Sequence, residues 1–245
     1  MRNIIDANIY KVLRSKGYYG ICGFLGIYIL IQLYTVIRHG IKPALTGVDT
    51  IISFLSGDHM IVILLLIIIG KQMLKDYESG VIKNILARGV TRSQYFIGQI
   101  ISSYIIIGVT WVAFVFVLVC INSIQSGIGE VNIKFIVIGG ILNMIFILTL
   151  IVMMIATIAI TRNGIIVVLI FIGAVNIAEI AMIIFSLFNM TLNLSKFEMT
   201  TYIGALSLKS NNNELLFLKG MGVMAVYLTV SMIVGLYVMK KQDVK

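Results

Sequence analysis

KQMLKDYESGVIKNILARGVTRSQY, residues 71–95, is the stretch on which the fold turns. It carries five Lys/Arg and two acids, yet apolar runs flank it on both sides. IVILLLIIIG precedes it and FIGQIISSYIIIGV follows it. Two apolar runs joined by a compact charged segment have the pattern of two membrane spans connected on one side of a bilayer. The rest of the chain agrees. Of its 245 residues, 60% are hydrophobic and only 12% are charged, too few to clothe a soluble domain of this size.

A span needs about 20 apolar residues. Runs long enough to be read this way lie at 18–37, 59–74, 95–121, 135–160, 164–188 and 220–239. The expected fold is therefore an all-α polytopic membrane protein with six transmembrane helices in one domain, 1–245. No internal repeat and no cleavable signal peptide are evident. Cys22 and Cys120 lie in separate apolar runs and form no disulfide framework or metal cluster. Neither H-E-x-x-H nor G-x-S-x-G occurs, so the residues give no enzyme reading.

Lys/Arg placement orients the spans. The N-terminal tail, the 71–94 connection, Arg162 and the C-terminal tail together hold 13 of the 19 basic residues. The opposite loops hold Arg38, Lys42, Lys134, Lys196, Lys209 and Lys219. Both termini are thus expected in the cytosol of a cell whose plasma membrane the chain crosses repeatedly. The net charge of +9 fits cytosolic loops facing anionic lipid headgroups, without calling for nucleic acid. Within residues 1–17, Ile4, Ile5, Ile9, Val12 and Leu13 fall on one helical face, predicting an amphipathic helix along the inner leaflet.

The opening segment has folded local grammar. Ser79 is placed to cap a short helix over Val81–Arg88, with Gly89 past its end. Val81, Ile82, Ile85 and Leu86 give that helix an apolar side. Thr91 and Gln94 have capping-box spacing for the next span. A short helix tied rigidly to two spans can transmit force from a soluble partner.

YESGVIKNILARGVTRSQYFIGQIISS, residues 77–103, resembles the permease family of type-2 ABC exporters, in particular the Gram-positive peptide-exporter and lantibiotic-immunity branch. The matching positions are Glu78, Gly80, Ile82, Leu86, Gly89, Val90 and Arg92, with Asn84 in the manner of that branch; Gln99 stands where Lys is common. The resemblance implies a coupling helix between spans 2 and 3, with Asp76, Glu78, Gly80, Ile82, Ile85, Leu86, Arg88, Gly89 and Arg92 as the ATPase-coupling residues. It implies separate ABC ATPase subunits that bind ATP and Mg, and a second permease as homo- or heterodimer partner. The chain itself has no phosphate-cradling G-x-x-x-x-G-K-[ST] loop. The branch implies export of amphipathic, antimicrobial or cytolytic peptides; drugs or lipids are the alternative cargo.

Three further features are candidates. Glu179 is the only acid deep within a run, and Asn176 lies three residues earlier on the same face, a translocation or gating pair or a structural bond. A passive or ion-coupled carrier using Glu179 is the competing class. Gly20, Gly23 and Gly26 form a small-residue stripe in span 1, fit for a dimer interface or for packing within the chain. The 189–219 loop, expected outside, has the mixed composition of short surface or re-entrant helices.

Overall fold

The structure is a computed structural model that describes residues 2–39, 45–56, 60–130, 132–176, 180–183, 195–197, 199–204 and 214–241. Among these residues there are helices and no strands. In chain order they are α1 (Arg2–Leu13), α2 (Lys16–His39), α3 (Gly47–Ser56), α4 (Met60–Glu78), α5 (Val81–Ala87), α6 (Arg92–Ser126), α7 (Ile133–Thr161) and α8 (Gly164–Val175). A 3-10 turn at Ser195–Phe197, α9 (Met199–Gly204) and α10 (Glu214–Lys241) follow. Four of these helices, α2, α6, α7 and α10, are long and apolar enough to cross a membrane. The pair α3 and α4, inclined at 49° to one another, makes a fifth candidate if it forms a single broken span. The chain is a helical membrane protein.

α7 is the centre of the bundle. From Leu150 to Ala159 every side chain is buried, because α6, α10, α8 and α4 all pack around it. α10 is its main neighbour. That close approach depends on a missing side chain: a β-carbon on Gly235 of α10 would lie 2.4 Å from Cζ of Phe96 on α6 and 3.3 Å from Cβ of Ala156 on α7. At 35 residues, α6 is about 52 Å long at 1.5 Å per residue, well beyond the ~30 Å hydrocarbon core.

The expected helix at the start of span 3 is present in detail. The Gln94 amide donates to Thr91 Oγ1 at 3.2 Å, and the Thr91 amide donates to Gln94 Oε1 at 3.0 Å, closing the capping box. The short helix after α4 also forms, ending at Ala87 with Arg88 as its C-cap. Its N-cap is Gly80, however, and not Ser79. Ser79 still belongs to the end of α4, where its hydroxyl donates to the Lys75 carbonyl at 2.7 Å and serves that helix's C-terminal turn.

Residues 47–56, expected in an outer loop, form α3 instead. Its sequence signal is Thr46-Gly-Val-Asp49 in capping spacing: the Asp49 amide donates to Thr46 Oγ1 at 3.2 Å, and Thr46 Oγ1 donates to Asp49 Oδ2 at 2.8 Å. Two backbone bonds, from Gly47 to the Gly127 carbonyl and from Val48 to the Ile128 carbonyl, fix α3 to the far end of α6. Buried amides complete the docking. Asn122 Nδ2 of α6 donates to Thr50 Oγ1 at 2.7 Å, and Asn143 Nδ2 of α7 donates to the Leu55 carbonyl at 3.1 Å.

α8 covers 12 residues, about 18 Å, of the expected 164–188 span. Residues 177–179 and 184–188 lie outside the described residues. The 189–219 loop does contain short helices: α9 packs on α10, and Tyr227 of α10 donates its hydroxyl to the Phe197 carbonyl at 3.1 Å. α1 is helical as expected, but one side of it rests on protein. Ile4 lies over Gly98 of α6, and Val12 is buried, while Leu13 of the same predicted face is exposed.

Candidate functional site

The 76–92 segment is held at one end of the bundle by side chains from five parts of the chain. α4 delivers Asp76 and Tyr77 there. The Asp76 carboxylate is buried and ion-paired with Lys11 of α1. The Tyr77 hydroxyl donates to the Met239 sulfur of α10 at 2.9 Å. Over the Tyr77 ring, 5.3 Å from its centroid, stands the guanidinium carbon of Arg162. Arg162 caps α7 in the left-handed conformation, φ 52°, which makes the tight turn into α8. Arg92, first residue of α6, donates to the Lys240 carbonyl at 2.9 Å, meeting an unsatisfied carbonyl at the C-terminus of α10.

On this base sits α5. Gly80 at φ 70° and Gly89 at φ 88° turn the chain at its two ends, in a region where other L-residues are disfavoured. Ile82 is 1% exposed and anchors the helix, with Ile85 and Leu86 half-buried beside it. Val81, at 39% exposure, does not join them. Glu78, Lys83, Asn84 and Arg88 are exposed. The helix therefore presents polar side chains of both signs while its apolar anchors are spent on the bundle.

Of the nine expected coupling residues, this separates the roles. Glu78 and Arg88 are surface charges near the two ends of α5; Ile82, Ile85 and Leu86 fasten it; Gly80 and Gly89 shape its turns. Arg92 ties α6 to α10. Asp76 faces inward to Lys11, which takes its carboxylate out of direct reach of an outside partner.

Away from this end, a cavity of about 320 Å³ opens between α4, α7 and α8. Leu66, Phe146, Leu150, Phe171 and Ile172 are among its apolar walls. Its polar lining comes from Ser56, Asn176 and Thr200, at the ends of α3 and α8 and in α9. Asn176, expected as a gating candidate, thus does line a cavity, with its Nδ2 donating to the Ile172 carbonyl at 2.9 Å. Glu179 lies outside the described residues.

Gly20, Gly23 and Gly26 show open space where a β-carbon would stand, with no described atom within 4 Å. Among the described residues they form no close-packing seam. Lys11, Tyr77, Arg162 and the carbonyl end of α10, which organise the base of the site, escape sequence reasoning because each partner is far away in the chain.

Compared with known proteins, the chain matches no family model and no curated protein, so the reading of its function rests on these residues and on the segment they hold.

Proposed function

We propose that the chain is the membrane-spanning permease subunit of an ATP-driven exporter, with residues 76–92 as the contact for a separate ATPase. The observation that carries this reading is α5 itself: a seven-residue helix joined directly to α4 and α6, with Ile82 buried in the apolar core and Glu78, Lys83 and Arg88 turned outward. A flexible loop would absorb a push from outside. A helix set between Gly80 and Gly89 and fastened to α4 and α6 would pass it on.

The same reading places both termini and α5 in the cytosol and counts six spans, with α3–α4 as the second and α8 beginning the fifth. It assigns a second permease as partner, and Gly20, Gly23 and Gly26 are where its helix would approach. ATP and Mg belong to the ATPase chains. The cargo is an amphipathic peptide, as the likeness of residues 77–103 to peptide-exporting permeases suggests; the apolar cavity with a polar rim between α4, α7 and α8 is suited to one of its apolar groups.

Charge reversal tests the contact. In an exposed loop with no partner, Glu78→Arg and Arg88→Glu should each change stability by less than about 0.5 kcal/mol and leave all else alone. At a docked interface each should weaken association with the ATPase by roughly 2 kcal/mol or more. The expected result is loss of ATPase copurification and of cargo-stimulated ATP hydrolysis, with normal yield of the permease. Variants that bind and stimulate the ATPase as the wild type does would reduce the segment to a topological connection.

A further inference from the structure

Where α1 crosses α4 and α6, the packed interior gives way to a small polar cavity of about 10 Å³, room for one water-sized molecule. Asn8 and Lys11 of α1, Gln72 and Asp76 of α4, and Gln99 and Ser103 of α6 line it. Most of the polar groups here are satisfied. Lys11 pairs with Asp76, Gln99 Nε2 donates to the Tyr95 hydroxyl at 2.9 Å, and Ser102 donates to the Gln99 carbonyl at 3.0 Å. Three buried atoms are not: Asn8 Nδ2, Gln72 Oε1 and Ser103 Oγ have no hydrogen-bond partner among the described residues. Ser103 is only 1% exposed.

The three come from three different helices, and their chemistry is complementary. Asn8 Nδ2 is a donor, Gln72 Oε1 an acceptor, and Ser103 Oγ either one. Buried polar atoms of this kind are regularly met by an ordered water making two to four hydrogen bonds. The charges on the wall narrow the ligand further. The one carboxylate is already neutralised by Lys11, and an ammonium on the rim opposes a second cation. Apolar molecules would leave all three atoms unpaired.

We propose that this cavity is a binding site for a single water molecule. The water accepts from Asn8 Nδ2 and donates to Gln72 Oε1 and Ser103 Oγ, so that α1 is joined to α4 and α6 by a hydrated polar contact beside the Lys11–Asp76 pair. The site is independent of any transport role.

Hydroxyl-radical footprinting of the full chain in detergent tests it, because radicals formed from a resident water oxidise the side chains next to it. Met73 lines the cavity at 2% exposure, and Met153 sits elsewhere in the apolar interior at 3%. Met73 should be oxidised several-fold faster than Met153, and in a Gln72→Leu, Ser103→Val protein its rate should fall to that of Met153. Equal rates in the wild type would overturn the proposal, as would fast labelling of Met73 that persists in the double variant. Should that variant not fold, a density map of the wild-type chain sharp enough to show ordered waters decides the matter. A peak within hydrogen-bond distance of the three atoms is expected, and a dry cavity would overturn the site.

Discussion

Lys11 and Asp76 are unequal partners. The Lys11 side chain keeps 39% of its surface exposed, while Asp76 keeps 9%. Removing the lysine leaves a carboxylate with little water around it; removing the aspartate leaves an ammonium that still reaches solvent. Breaking a fully buried pair costs about 3–5 kcal/mol, and solvent at Lys11 brings the expected cost of Lys11→Met down to about 2 kcal/mol. Asp76→Leu should cost less, and the double variant should regain most of the loss, since two apolar groups of similar bulk leave no stranded charge. Thermal midpoints of the four proteins in one detergent measure this. A double variant at the sum of the two single losses would show that the residues act independently. None of this was legible in the sequence. Lys11 and Asp76 are 65 positions apart, and each has an ordinary local explanation, one as a headgroup-facing base and the other as a surface acid.

At the scale of elements, legibility followed locality. The capping box at Thr91 and Gln94 is complete within four residues, and it stands as read. The apolar anchor of α5 is also local and only Val81 departs from it, because the helix rolls Ile82, not Val81, under the bundle. Ser79 was misassigned because its hydroxyl has two helix ends in reach, and the carbonyl of Lys75 is the one it meets. α3 was passed over for a different reason. Ten residues are too few for a span, and the helix gains its stability from α6 and α7 rather than from its own length. Its cap is nonetheless a local signal, and it should have measurable weight. Thr46→Val removes the hydroxyl that the Asp49 amide and carboxylate both use, and should destabilise the protein by about 1 kcal/mol. Thr46→Ser should retain most of that contribution. Hydrogen exchange of the amides in 48–52 reads the effect directly; equal protection in wild type and Thr46→Val would mean that α3 is held by tertiary contacts alone.

Across the whole molecule, the long apolar helices were plain from composition, since backbone groups in hydrocarbon have no other way to be satisfied along a single segment. Their number and direction depend on the less regular segments. The proposed topology makes a direct expectation. With Cys22 and Cys120 replaced by Ser, single cysteines at Lys83 and Lys241 should react with an impermeant maleimide only after the membrane is opened. Cysteines at Glu130 and Lys196, both exposed, should react in intact cells. Reaction of position 83 from outside would sink the arrangement, and with it the assignment of α5 to an ATPase. The site was readable where it is a contiguous segment and unreadable where it is a cavity, because the residues that line the cavity are scattered along the chain from Ser56 to Ile203.

The stitching of Tyr77 to Met239 and of Arg92 to the Lys240 carbonyl also has a consequence for the order in which the molecule is made. A ribosome delivers α4 and α6 long before it delivers residues 239 and 240. Until then Tyr77 and Arg92 have no α10 to hold, and α7 lacks its main neighbour. The base of the bundle is closed by residues translated well after the helices they hold. A nascent chain cut short within α10 would leave it unlocked, a difference that proteases surveying newly inserted membrane proteins are equipped to detect.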